Sequence, residues 1–264
     1  MRGDRMDTEK IYNENCLDTM SRMTDGFIDL TVTSPPYDNL RKYNGYSFDF
    51  ESIAKELYRV TKDGGVVVWV VGDATVNGSE SGTSFRQALF FMECGFKLHD
   101  TMIYAKKNFV PLTHNRYEQA WEYMFIFAKG RPKTFNGLRE TSATFGNSYN
   151  FSKKGSNIKE GSFRRRDEVV VTAETKLHTN IFYYSTGADK VGHPAPFPEP
   201  LATDHIHSWS NEGDLVYDPF GGSGTVAKMS HILKRKWILS EISEEYVGIA
   251  QKRIAPYLSQ LVLL

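Results

Sequence analysis

This chain of 264 residues has little of what marks secreted, metal-binding or membrane-spanning proteins. Its two cysteines, Cys16 and Cys94, stand far apart. Two isolated thiols make neither a disulfide framework nor a metal-ligand spacing, and they suit a reducing compartment, so the expected location is the cytoplasm and no metal is expected. No apolar run is long enough to cross a bilayer, and the start Met1-Arg2-Gly3-Asp4-Arg5 leads into no signal-like apolar stretch. Charge of one sign is not in excess either: Lys plus Arg and Asp plus Glu are both 32. Any surface that meets a polyanion must therefore be local. No internal period suggests repeats, and no Gly-Lys-Ser or Gly-Lys-Thr marks a phosphate-binding loop.

What is present reads as one sizeable α/β core with room for an insertion. Phe27 to Val32 is strand-like and delivers Thr33-Ser34-Pro35-Pro36-Tyr37 at its end. Phe50 to Val60 carries apolar residues at helical spacing (Ile53, Leu57, Val60) and stops before Lys62-Asp63-Gly64-Gly65. Val66 to Val71 is continuously apolar and rich in β-branched residues, as in a strand buried on both faces. A helix is expected over Phe85–Glu93, and strands over Leu98–Tyr104 and Tyr123–Ala128. Near the C-terminus come a helix at Leu201–Trp209, a strand ending at Tyr217, a glycine-rich bend, a helix from Thr225 and a strand at Lys236–Leu239. A last helix follows from about Glu244. This alternation predicts a parallel sheet covered on both faces.

Between Lys129 and Arg166 the periodicity disappears. Ten basic residues (Lys129, Arg131, Lys133, Arg139, Lys153, Lys154, Lys159, Arg164, Arg165, Arg166) face two acids, with Phe135, Phe145, Tyr149, Phe151 and Phe163 interleaved. Such a composition fits a solvated loop and a nucleic-acid contact segment equally, the second because Lys and Arg neutralise phosphates.

Two motifs carry chemistry. In Asp218-Pro219-Phe220-Gly221-Gly222-Ser223-Gly224-Thr225, glycines permit close backbone approach, and the helix start that follows suits a carboxylate. Glu241, after the next strand, can accept from both hydroxyls of a ribose. Without a phosphate device, a nucleoside fits better than a nucleotide. The first motif solves a different problem. An exocyclic amine is a poor nucleophile because its lone pair is delocalised into the ring. Ser34 Oγ and the Pro35 carbonyl supply two acceptors for its N–H groups, the paired prolines fix that backbone, and Tyr37 offers a stacking face for a base turned out of a duplex.

Together the two motifs resemble the catalytic and cofactor loops of the beta group of amino-methyltransferases, the DNA cytosine-N4 and adenine-N6 enzymes. Their order, catalytic loop first, matches the permuted order of that group. The resemblance implies a Rossmann-like, S-adenosylmethionine-dependent methyltransferase sheet, circularly permuted, with an inserted target-recognition segment. It places the catalytic and cofactor-binding domain at 1–130 and 191–264 and the recognition segment at 131–190. It assigns Ser34, Pro35, Pro36 and Tyr37 to catalysis. To the cofactor, S-adenosyl-L-methionine, it assigns Asn15, Cys16, Thr33, Phe197, Asp218, Phe220, Gly221, Gly222, Ser223, Gly224, Thr225 and Glu241. Arg41, Lys153, Lys154, Arg164, Arg165 and Arg166 fall to double-stranded DNA. The family usually has an acid where Asn15 stands, though an amide oxygen can still accept from an adenine amine. Glu118 and Glu122 lie in a further familial stretch, where ion pairing explains them as well as function does.

Ser at the head of the turn resembles the cytosine-N4 version, and adenine N6 is the alternative. A DNA-binding protein of the same fold without catalysis, and an enzyme of protein glutamine amides, are rivals of other classes. The sequence leaves oligomeric state open, a homodimer included, and does not reveal a cognate restriction endonuclease.

Overall fold

The computed structural model describes residues 6–36, 48–108, 116–150, 169–186 and 197–259. Lys10–Tyr12 (β1) leads through Asn15, whose side chain caps Cys16–Ser21 (α1), into Ile28–Thr33 (β2). Phe50–Val60 (α2) follows, its N-terminus capped by Asp49 Oδ1, which accepts from Ser52 N at 3.2 Å. Thr61–Val71 (β3) comes next, then a small hairpin of Thr75–Val76 (β4) and Ser79–Glu80 (β5), and then Thr83–Glu93 (α3). Lys97–Lys106 (β6) and Trp121–Ala128 (β7) complete this half. Four short strands follow: Arg139–Thr141 (β8), Ser148–Asn150 (β9), Val169–Val171 (β10) and Thr175–Leu177 (β11). The C-terminal part holds Ile181–Tyr184 (β12), Glu199–Trp209 (α4), Leu215–Asp218 (β13), Thr225–Ile232 (α5), Lys236–Ser240 (β14) and Glu244–Leu258 (α6).

Eight strands form one sheet in the order β1-β14-β13-β2-β3-β7-β6-β12. The two ends of the chain meet at its middle, where β13 lies parallel to β2 with Val216 opposite Leu30 and Tyr217 opposite Thr31. β3 is central and its Val66–Val71 run is buried throughout. Alternation along the strands covers both faces. Ile238 of β14 joins Cys16 and Met20 of α1, Leu57 of α2 and Phe91 of α3 in one core cluster. Its neighbours Trp237 and Leu239 pack instead with Ala227 of α5 and Ile254 of α6. The first cluster is rich in aromatic contacts: the Phe91 ring stacks on Phe127 at 4.6 Å and meets Trp69 edge-on at 5.0 Å. Where Trp69 buries a polar atom it is matched, Nε1 donating to Gln87 Oε1 at 2.9 Å.

The sheet is not wholly parallel, contrary to the expectation from alternating strands and helices. β7 runs antiparallel to both β3 and β6. Parallel neighbours need a covering crossover, whereas consecutive antiparallel strands do not. Among the described residues no helix separates β6 from β7, so β7 returns directly between β3 and β6. One consequence bears on function: the start of β7 lies at the same edge of the sheet as the ends of β2, β3, β6 and β13.

The chain divides into two compact units, Met1–Asn136 with Asn180–Leu264, and Gly137–Thr179. The inserted stretch is thus narrower than the 131–190 of the sequence reading, for local reasons. Asn136 is tied to the larger unit through Nδ2, which donates to the carbonyls of His207 (3.0 Å) and Ser210 (3.1 Å). At the other boundary β12 pairs in parallel with β6 and belongs to the main sheet. The smaller unit contains two antiparallel ribbons, β8 with β11 and β9 with β10.

Candidate active site

β2 and β13 deliver the two motifs side by side. Because they are parallel neighbours in register, Thr33-Ser34-Pro35-Pro36 and Asp218-Pro219-Phe220-Gly221 leave the sheet at one edge. A buried contact joins them, with Thr33 Oγ1 donating to Asp218 Oδ1 at 2.6 Å. The same oxygen accepts from Phe220 N at 3.0 Å, which sets the first bend of the glycine loop. Burial pushes the Asp218 acid up to about 7, helped by the charge of Glu241 and opposed by the hydrogen bonds from Thr33 and Phe220. Pro35 is buried, while Ser34 and Pro36 are half-buried at the edge of the sheet.

The loop after Asp218 is held from within. Gly221 N donates to Ser240 O at 2.9 Å, and Gly224 N to Gly221 O at 2.8 Å. Gly224 is left-handed at φ +78°, and a Cβ there would fall 2.8 Å from Ala250 Cβ on α6. A Cβ on Gly221 would crowd Leu239 at 3.1 Å. These two glycines therefore serve the packing of the loop against β14 and α6, not only the approach of a ligand. Gly222, at φ +48°, presents its N–H to Glu241 Oε2 at 2.8 Å.

Glu241 follows β14. Its other oxygen accepts from Ser243 N at 2.8 Å, and burial raises its acid against these backbone donors. Backbone N–H groups hold both carboxylate oxygens at the sheet edge, the orientation needed to receive adjacent hydroxyls. Glu241 N donates to Tyr12 O at 3.0 Å, and Asn13 Nδ2 donates to Glu241 O at 2.8 Å, which fastens the start of α1 beside it. Asn15 is near in sequence to this fastening, but its Oδ1 accepts from Leu17 N at 2.9 Å as a helix cap. Cys16 points into the core, and burial pushes its thiol up to about 12.

A charged network that sequence reasoning passed over braces the loop. Arg253 of α6 donates to Ser223 Oγ (2.9 Å) and Thr225 Oγ1 (2.8 Å), and also pairs with Glu199. Lys228 of α5 reaches the same Glu199 oxygen at 2.6 Å. Burial works against the Glu199 carboxylate, but Lys228 and Arg253 overcome it and hold its acid below the ordinary range. Glu199 opens α4 two residues after Phe197, which is half-buried, so the network ties the Phe197 segment to Ser223 and Thr225. Its only sequence signal was an acid at the first turn of a Pro-started helix. Phe220 packs its ring against Phe48 (5.6 Å) and Trp69 (6.2 Å).

Several other residues singled out in the sequence are held by local contacts. Glu122, at the start of β7, pairs with Lys106 at 2.7 Å. Asp73 accepts from Ser84 N at 3.0 Å and Ser81 Oγ at 2.9 Å around the start of α3. His205 is buried beside Met124, Nε2 lying 3.2 Å from the sulfur, and burial pushes its pKa down to about 3. Two residues of the basic stretch are engaged internally, Lys129 with the carbonyls of Tyr58 and Thr61, and Arg139 with Thr175. Tyr37, Arg41, Lys153, Lys154, Arg164, Arg165 and Arg166 lie outside the described residues.

A family model described as DNA methylase matches residues 28–252, a span that contains both motifs. The chain belongs to this N6/N4 DNA methylase family. M.BamHII of Bacillus amyloliquefaciens, an orphan methyltransferase, is 55% identical over 238 residues, which cover 88% of this chain and 90% of its own. Among solved structures, the cytosine-N4-specific PvuII DNA methyltransferase superposes with a TM-score of 0.68 at 21% identity, over 97% of this methylase and 93% of its own chain. TTHA0409 of Thermus thermophilus, complexed with S-adenosyl-L-methionine, superposes with a TM-score of 0.62 at 21% identity, over 94% and 95%. At that identity the two structures establish the fold.

As a DNA methylase of this family the protein uses S-adenosylmethionine, and its own residues fit that group. Glu241 has acceptor capacity for ribose hydroxyls, and the braced loop of Gly221–Gly224 opens α5, where backbone N–H groups favour a carboxylate. No helix among the described residues is long and apolar enough to cross a membrane.

Proposed function

We propose that this methylase modifies the exocyclic N4 of cytosine in double-stranded DNA, acting on a base turned out of the helix. The observation that carries the reading is the junction of β2 and β13: the turn bearing Ser34 and the loop bearing Gly221–Gly224 leave adjacent parallel strands and share the Asp218 carboxylate. Ser34 Oγ and the Pro35 carbonyl accept the two N–H groups of the amine, which concentrates its lone pair on nitrogen. Tyr37 stacks on the extruded ring. When bound, S-adenosylmethionine supplies an electrophilic methyl carbon. Glu241, Phe197 and the glycine loop hold the cofactor, Asn15 contributing through the second lone pair of its capping oxygen, and the Glu199–Lys228–Arg253 network keeps that loop in place.

Cytosine is favoured by Ser34 at the head of the turn, where the family's adenine-N6 members more often carry Asp or Asn. Sequence readout is assigned to the unit 137–179 together with the basic residues Lys153, Lys154 and Arg164–Arg166. A two-stranded ribbon is one of the elements a major groove admits, and β8–β11 and β9–β10 are two such ribbons.

The test is incubation of the protein with unmodified DNA and isotopically labelled cofactor, followed by mass analysis of the nucleosides. Labelled N4-methylcytosine is the expected product. N6-methyladenine would replace the base assignment and keep the chemistry. Absence of transfer despite cofactor binding would favour a DNA-binding protein that has lost catalysis.

A further inference from the structure

Ladder pairing between β2 and β13 runs through Leu30–Val216 and Thr31–Tyr217 and ends there. On its other side β2 stays paired with β3 as far as Thr33 and Trp69. Above the last β2–β13 pair, the side chain of Thr33 takes over as the link between the strands. Both ends of that link are buried, Thr33 at 1% and Asp218 at 5% exposure. Asp218 Oδ1 receives the Thr33 hydroxyl at 2.6 Å and Phe220 N at 3.0 Å. One oxygen therefore fixes the residue immediately before Ser34 and the start of the glycine loop.

We infer that Thr33 is a positioning residue, and that its hydroxyl, through Asp218, sets the distance between the Ser-Pro-Pro turn and the glycine loop. With its hydroxyl proton committed to Asp218, Thr33 keeps only acceptor lone pairs for the expected cofactor contact. The inference rests on the methyltransferase reading for its catalytic consequence, but the clamp itself is a property of the free protein. Losing it leaves β2 anchored to β3, so the fold persists while the turn drifts relative to the loop. A misplacement of about 1 Å between reacting groups costs on the order of a hundredfold in rate.

The experiment compares Thr33→Val, which keeps shape without the hydroxyl, with Thr33→Ser, which keeps the hydroxyl. Hydrogen exchange by mass spectrometry is read first, on the cofactor-free proteins, over peptides spanning 33–37 and 219–224. Thr33→Val should exchange roughly tenfold faster in both peptides, and Thr33→Ser should match the parent. Kinetics and calorimetry follow. In Thr33→Val, kcat should fall roughly 10- to 100-fold while the Kd for S-adenosylmethionine stays within about threefold, with rescue by Thr33→Ser. Unchanged exchange in both peptides would overturn the clamp, whatever the enzyme does. A cofactor Kd weakened as much as kcat would overturn the positioning role and return Thr33 to the cofactor site. An inactive parent that still shows the exchange difference would uphold the clamp and remove the methyltransferase reading alone.

Discussion

The large unit and the unit 137–179 are held together by different means. The first buries a continuous aromatic and β-branched core, in which Trp69, Phe91 and Phe127 are each 0% exposed and Phe91 touches both of the others. The described residues of the second form two short ribbons with polar fastenings, such as Arg139 to Thr175 and Lys176 to Glu140, and leave Phe145 62% and Leu177 51% exposed. The proposed chemistry, which needs groups fixed to a fraction of an ångström, sits on the first. Among the described residues of the second, buried side chains are few, which suits the proposed role of this unit in reading a target sequence.

This contrast can be broken most easily at its strong end. Phe91→Ala should cost about 3–5 kcal/mol of folding stability, as for other buried aromatics, whereas Phe145→Ala should stay within about 0.5 kcal/mol. Urea titration of both variants checks this, and a Phe145 effect of similar size would mean that the smaller unit has a core of its own. Next in size is the basic cluster. Replacing Arg164, Arg165 and Arg166 with Ala should weaken DNA binding and lower the slope of log K against log salt by about 2–3, with cofactor affinity unchanged. An unaltered salt slope would take the cluster out of the DNA interface.

A smaller effect sharpens the account of the junction between β2 and β13. Asp218 has its folded pKa raised to about 7 by burial, above that of the unfolded chain. From about pH 4 upward the unfolded chain releases this proton while the folded protein keeps it. The stability that Asp218 contributes is thus full at low pH and is lost as pH rises through 7. Thermal midpoints of Asp218→Asn and the parent, compared at pH 4.5 and pH 8, should shift in favour of Asn at the higher pH. A pH-independent difference would show that Asp218 ionises as an ordinary carboxylate.

How much of this was legible in the sequence follows from range. The run Val66–Val71 announced a buried central strand, and Ile53, Leu57 and Val60 announced α2, because burial leaves a period in local sequence. The two motifs announced the site because rigid turns need Pro and Gly at fixed offsets. The antiparallel course of β7 was not legible, since an apolar strand carries the same local pattern in either direction. Nor were the Arg253–Glu199–Lys228 network or the Thr33–Asp218 clamp, whose partners are distant in the chain. The capping role of Asn15 was missed for a physical reason: as the residue before a helix it serves the backbone first. Gly221 and Gly224 were read for ligand approach, and their packing against Leu239 and Ala250 needed coordinates.

The central claim is that catalysis resides in the turn on β2 and cofactor binding in the loop on β13. Ser34→Ala separates them most directly, with kcat measured on DNA and the Kd for S-adenosylmethionine measured by calorimetry on the same preparation. The account predicts that kcat falls by about 100-fold or more, the usual loss of one well-placed acceptor or donor, while Kd changes by less than about threefold. Loss of both in equal measure would contradict it, because the turn would then be part of the cofactor site or of the fold.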